Sequence, residues 1–249
     1  MRKIIKKGLI GLCFIAFNCQ AFDWSLLNEG AQLLKDTGIS DTTVSSSLDK
    51  TDIISGLKAA LSRGVEKSIK KLGQKNGFLR DKKLKINLPP TINKMAQIAK
   101  KLGQGHRVND FVKSMNHAAE AAVPHAAKIL ADSVQKMSVE DGLKILNGSD
   151  TAATDYFKKV SSKQLTKQFL PIVKTEMARV EVTKKYKMIA DQSSGLLKGV
   201  FNAKPFDLDR YVTSKALDGL YQYIALEEKK IRADPIATGS NLLIKVFGK

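Results

Sequence analysis

Cysteine is nearly missing from this 249-residue chain: there are two, Cys13 and Cys19, both close to the N-terminus. Aromatic residues make up only 6%, and acids are short, with 24 Asp and Glu against 42 Lys and Arg. No apolar run reaches the roughly 18–20 residues that a membrane-spanning helix requires. There is no G-x-S-x-G, no phosphate-binding P-loop, no dinucleotide fingerprint and no H-E-x-x-H. Gly103-Gln104-Gly105 lacks the third glycine and the preceding strand of a phosphate loop, and reads as a turn. Nucleic-acid modules that stack bases need exposed rings on strands, and no such pattern is present, so no nucleic-acid partner is expected. No cofactor-binding motif occurs, and none is expected.

The first 21 residues differ from the rest. Arg2, Lys3, Lys6 and Lys7 make a basic start, Gly8 to Phe17 (GLIGLCFIAF) is apolar, and Asn18-Cys19-Gln20-Ala21 ends on small residues. This is the layout of a secretory signal, with cleavage expected after Ala21 and a periplasmic or peripheral envelope location implied. Ala16, Phe17 and Asn18 before Cys19 match a lipoprotein signal poorly. Cleavage removes both cysteines, and disulfides, thiolate nucleophiles and Cys-ligated zinc go with them.

Removing the four basic residues of the leader leaves 38 basic and 24 acidic groups, a net charge of +14. Residues 51–90 hold ten basic and three acidic side chains. Residues 151–200 hold ten and four, whereas 22–50 hold two and five. Lys58, Arg63, Lys67, Lys70, Lys71, Arg80, Lys82, Lys83 and Lys85 form the first excess and are the expected contacts to an anionic surface. Lys greatly outnumbers Arg, which fits a diffuse field better than bidentate phosphate recognition.

The pattern along the chain is helical. Residues 22–50 form an N-terminal segment ending in the polar linker Thr42 to Ser47. From Thr51, Ile53, Ile54, Leu57, Leu61, Val65, Ile69 and Leu72 recur at three and four, one face of a helix that Gly73 can end. Leu84 to Leu88 alternates apolar and polar without an evident strand partner, so it is expected to be an extended connection. A helix over Thr91–Leu102 precedes a long, alanine-rich central helix from about Val108 to Met137, kinked at Pro124. Ser138-Val139-Glu140-Asp141 is a capping box. A short helix from Asp150 or Thr151 to about Val160 is followed by a long segment, from Ser161 or Ser162 to about Asp191, interrupted at Pro171. After a loop at 193–208, Asp207 or Asp209 caps a last major helix, which Asp234-Pro235 stops, and 235–247 adds a short one. The expectation is an all-α fold: a single bundle of about seven to nine helices over 51–249, with an extended connection near 84–88.

Candidate chemistry is sparse. His117 and Glu120 share a helix face, and His125 lies about 80° further round. With His106 these are the three histidines, and no metal site is expected, because one would need two more ligands from other helices. Asn116, His117 and Glu120, beside the carbonyl that Pro124 frees, are the expected ligand-binding residues of a small inter-helical cavity. The acid pairs Glu140-Asp141 and Asp207/Asp209 suit helix first turns, and Glu227-Glu228 can pair with Lys230 and Arg232. No catalytic residue is assigned.

Several runs resemble a bacterial exported family catalogued as domain of unknown function 4197. They are Ser55–Leu61 (SGLKAAL), Ile86–Pro89 (INLP), Met115–Pro124 (MNHAAEAAVP), Glu140-Asp141 with Ile145–Gly148 (ILNG), and Thr151–Thr154 (TAAT) with Tyr156-Phe157. Phe169–Val173 (FLPIV), Tyr211-Val212 with Lys215–Leu220 (KALDGL), and Ile231–Pro235 (IRADP) complete them. The resemblance implies a signal peptide, one helical domain and no established activity, and it supplies no catalytic residue. Related chains often carry Asn where Asp234 stands here. The functional expectation is a non-enzymatic binding protein for an anionic or amphipathic envelope component. Its alternative is a hydrolase-like enzyme using the cavity near Asn116 and Glu120.

Overall fold

The three-and-four spacing of apolar residues after Thr51 becomes the first helix of the computed structural model, which describes residues 50–179 and 206–234. This helix, α1 (Lys50–Gly73), buries Ile54, Leu57, Leu61, Val65, Ile69 and Leu72 and turns Arg63, Lys67, Lys70 and Lys71 outward. Six helices follow: α2 (Pro90–Ala99), α3 (Gly105–Ala122), α4 (Ala127–Gln135), α5 (Val139–Leu146), α6 (Ala152–Arg179) and α7 (Leu208–Ala233). A π turn at Lys100–Gln104 and a 3-10 turn at Val123–Ala126 join α2, α3 and α4, so the described residues make five continuous helical runs. No strand occurs among them. Of the expected elements, the leader, the linker segment up to Asp49, the loop from Ser193 to Pro205 and the helix at 235–247 lie outside the described residues.

Local chemistry explains the breaks. Gly103 takes a φ of 77°, the left-handed region that glycine enters without a Cβ clash, and the chain turns there. The central helix therefore begins at Gly105, three residues before the expected Val108. Pro124 supplies no N–H and converts one turn to 3-10 geometry, dividing the long helix into α3 and α4. Ala118, Ala119, Ala122 and Ala126 are buried along this line, where small side chains let neighbours approach. Ser138 and Asp141 form the expected reciprocal capping box of α5.

One expectation is corrected. The chain does not break near Ser161 or at Pro171, but runs as a single helix of 28 residues, α6. Ser161 and Ser162 do not cap: each hydroxyl donates to the carbonyl four residues back, Phe157 and Lys158 respectively, which a continuing helix allows. Phe157, Leu165, Phe169 and Val173 are fully buried along its length, and that packing outweighs the one bond Pro171 removes.

Helices α6 and α7 lie antiparallel, because Ala153 meets Glu228 at one end while Ser161 meets Tyr221 further along. Buried Glu228 does more than pair with Arg232. Its carboxylate accepts the Ala153 and Thr154 N–H groups, both at 2.9 Å, and the Thr154 hydroxyl at 2.8 Å. Those amides belong to the first turn of α6 and have no partner within their own helix. Arg232 donates through Nη2 to Glu228 at 3.0 Å and to the Ile145 carbonyl, in the last turn of α5, at 2.8 Å. Two side chains of α7 thus finish the ends of two other helices.

Candidate anion-binding face

Between α1 and α2 the chain crosses α3 without regular structure, and two α3 side chains one turn apart fasten it. Glu120 is 4% exposed; its Oε2 accepts the Asn76 N–H at 3.0 Å, and its Oε1 accepts those of Phe78 at 3.1 Å and Leu79 at 3.3 Å. Asn116 is wholly buried, accepting the Ile86 N–H at 2.9 Å while its Nδ2 donates to the Ile86 carbonyl at 2.9 Å. The same Nδ2 also donates to the Val112 carbonyl at 2.8 Å. A side-chain amide therefore gives Ile86 the bonds that a neighbouring strand gives a ladder residue. His117 stands beside this clamp, with Nε2 3.5 Å from Asn76 Oδ1 and 3.9 Å from Glu120 Oε2.

Of Asn116, His117 and Glu120, expected to line a ligand cavity, the first and last thus hold the backbone of the connection and His117 stands at its side. The space against Asn116 and Glu120 is filled by the backbone of the connection. The reason is reciprocal: the irregular segment has unpaired amides, and a buried carboxylate on an alanine-rich helix needs donors.

The fastened segment has two sides. Phe78, Leu84 and Ile86 are buried, and Gly219 of α7 makes room for the Phe78 ring, since a Cβ there would lie 2.5 Å from Phe78 Cε1. Arg80, Lys82, Lys83 and Lys85 are exposed between them. The segment enters this path through a tight turn: Asn76 has a φ of 65°, and a Cβ at Gly77 would meet the Lys71 carbonyl oxygen at 2.5 Å. Asp81, the one acid of the segment, accepts the N–H groups of Lys83 at 2.8 Å and Leu84 at 3.3 Å, which directs its charge at backbone.

The nine cations expected at an anionic surface divide. Lys58 donates to the Gln135 carbonyl at 3.0 Å and closes the end of α4, and Lys67 pairs with Glu227 at 2.8 Å. Arg63 is exposed on α1. Lys70 and Lys71 at the end of α1, then Arg80, Lys82, Lys83 and Lys85 along the connection, are exposed close together in the chain. Lys85 also lines a groove of about 560 Å³ together with Lys100 and Lys113, the amides Asn87, Asn93 and Asn109, and one acid, Asp110. Sequence reading did not gather Lys100 and Lys113 here, because they reach Lys85 only when α2 and α3 fold beneath the connection.

Two acids away from this face, Glu227 and Asp141, have structural partners. Burial pushes the Glu227 carboxyl up, but bonds from Lys230 and Lys67 outweigh it and leave it below its ordinary value of 4.5. Hydrogen bonds from the Ser138 side chain and backbone hold Asp141 below 3.8. A depressed folded value means that stability is fully present above the unfolded value and is lost as pH falls through the folded one. Melting temperature is therefore expected to decline below about pH 4.5, and Glu227→Gln should flatten that decline; thermal unfolding followed by circular dichroism from pH 3 to 6 checks this.

Among the described residues no group of three or more His, Cys, Asp or Glu is placed to hold a metal ion, and no helix is long and apolar enough to cross a membrane. The family described as protein of unknown function (DUF4197) matches residues 47–248, a span that includes every described residue. No curated protein and no solved structure matches the chain.

Proposed function

The chain belongs to DUF4197, a family of proteins of unknown function, and from that premise we propose that it is a non-enzymatic binding protein of the cell envelope. In this reading the leader directs export and is cleaved after Ala21. Residues 51–249 make one soluble helical domain of seven to nine helices, and the basic connection docks on an anionic lipid surface. The observation that supports it most is the pairing of four exposed cations, Arg80, Lys82, Lys83 and Lys85, with a backbone pinned from beneath by Asn116 and Glu120. A pinned segment presents its charges without ordering the chain on contact, so less entropy opposes binding. Lysine suits the role, because a compact ammonium on a flexible stem adapts to headgroups that have no fixed geometry.

Co-sedimentation with vesicles containing phosphatidylglycerol tests this. Each cation near an anionic surface contributes about 1 kcal/mol, so Lys82→Gln with Lys83→Gln should weaken binding roughly thirtyfold. Binding of the parent protein should also fall steeply with salt and vanish on neutral vesicles. Equal binding to neutral and anionic vesicles, or no effect of the double substitution, contradicts the proposal.

A further inference from the structure

Beside the apolar contact between α6 and α7 runs a groove whose lining includes four short hydroxyl side chains. Ser162 and Thr166 on one helix oppose Thr213 and Ser214 on the other, and the groove measures about 690 Å³. Leu217 and Leu170 supply its apolar surface. From Tyr221 to Arg210 the groove follows three turns of α7, about 16 Å.

Its two ends differ in charge. At one, Tyr221 Oη lies 3.0 Å from Ser161 Oγ and 3.4 Å from Ser162 Oγ, and Lys158 Nζ stands 6.0 Å from the ring centre. Asp218, the acid of the lining, stands three residues from Tyr221 and is 3.6 Å from Lys215. At the other end Lys167 and Arg210 flank Leu170 and Thr213. Arg210 Nε touches Asp207 at 3.1 Å, yet its side chain is 78% exposed.

Thr213 is the informative residue. A hydroxyl inside a helix ordinarily donates to the carbonyl four residues back, as Ser162 and Thr166 do. Thr213 is 2% exposed, and its Oγ1 has no hydrogen-bond partner among the described residues. A polar atom in that state at the edge of a basic groove calls for an acceptor from outside.

We propose that the α6–α7 groove binds one anionic single-chain amphiphile. Its headgroup sits among Lys167, Arg210 and Thr213, and its chain runs across Leu217 toward the Tyr221 ring. The volume is within the range of small-molecule sites, and the lysine stems extend the apolar floor. This site is separate from the basic connection and stands whether or not that face meets a membrane.

Isothermal titration with dodecyl phosphate, kept below its micelle concentration, tests the proposal on protein purified as its host cell processes it. Dodecanol and inorganic phosphate are titrated separately. The expected result is saturable binding of one dodecyl phosphate per chain, with each control weaker by at least about tenfold. Ser214 is exposed, so Ser214→Trp fills the groove without entering the core and should abolish binding. Lys167→Glu with Arg210→Glu, also at exposed positions, should reduce it by more than roughly tenfold. Lys82→Gln with Lys83→Gln should leave it unchanged, which separates this site from the envelope-docking face. The proposal is overturned by absence of saturable heat, by equal affinity for dodecanol or inorganic phosphate, or by unchanged binding in a folded Ser214→Trp protein.

Discussion

Glu228→Ala is expected to destabilise the protein by about 3–5 kcal/mol, read as a lower urea midpoint at an unchanged slope. The size follows from what the carboxylate holds. Two backbone amides and one hydroxyl at the start of α6 lose their acceptor together. Arg232, whose side chain is 13% exposed, keeps its bond to the Ile145 carbonyl but loses the opposite charge that offset its burial. Breaking a buried pair from one side removes a charge partner that the remaining group was buried against, which costs more than the pair contributes. Glu228→Gln retains an acceptor oxygen and the shape, so its expected loss is smaller, about 1–2 kcal/mol. A loss below about 1 kcal/mol for the alanine variant means that water or another side chain replaces the carboxylate, and the assigned role fails.

The second large effect is expected at Glu120. Three N–H groups share this carboxylate, and that of Phe78 is buried. Hydrogen bonds to a charged acceptor contribute about 1.5–3 kcal/mol each, but the half-buried amides of Asn76 and Leu79 can turn to water once the acceptor is gone. Glu120→Ala is accordingly expected to cost about 3 kcal/mol, with Phe78 drawn partly from its place against Gly219. Asn116→Ala adds less in that background than alone, because one loosened connection cannot be released twice. Urea unfolding of the two single variants and the double variant measures both effects. Simple addition of the two losses says the clamps are independent and the connection is not a unit.

Local spacing carried much of this to the sequence reader. The apolar stripe of α1, the capping box at Ser138, the interruption at Pro124 and the end of α7 at Asp234 each depend on residues within one or two turns, and all appear in the structure. The same holds for Glu227 and Glu228 with Lys230 and Arg232, three and four residues on. What spacing cannot reach is the partner across the fold. Glu228 lies 75 residues from Ala153, and Glu120 lies 42 from Phe78. Both look like ordinary helix-face acids until the helices pack.

The misreading at α6 has the opposite origin. Ser161, Ser162 and Pro171 are strong local signals for a helix start or stop, and buried Phe157, Leu165 and Phe169 override them. The polar cluster on α3 was visible as an oddity on an alanine-rich helix, but a polar group beside a kink reads equally as a ligand site or a clamp. Only the position of the connection decides between them. The hydroxyls of the α6–α7 groove left a faint trace, Ser162 and Thr166 four apart, which has no meaning until Thr213 and Ser214 come opposite.

The basic connection is a pinned face, held by side chains of α3 despite having no regular structure of its own. Amide hydrogen exchange read residue by residue tests it most directly. The amides of Phe78 and Ile86 should exchange as slowly as those of core residues in α1, such as Leu61, because each is buried and bonded to a buried side chain. Exchange of Phe78 and Ile86 at the rate of an unprotected chain, while Leu61 stays protected, contradicts it.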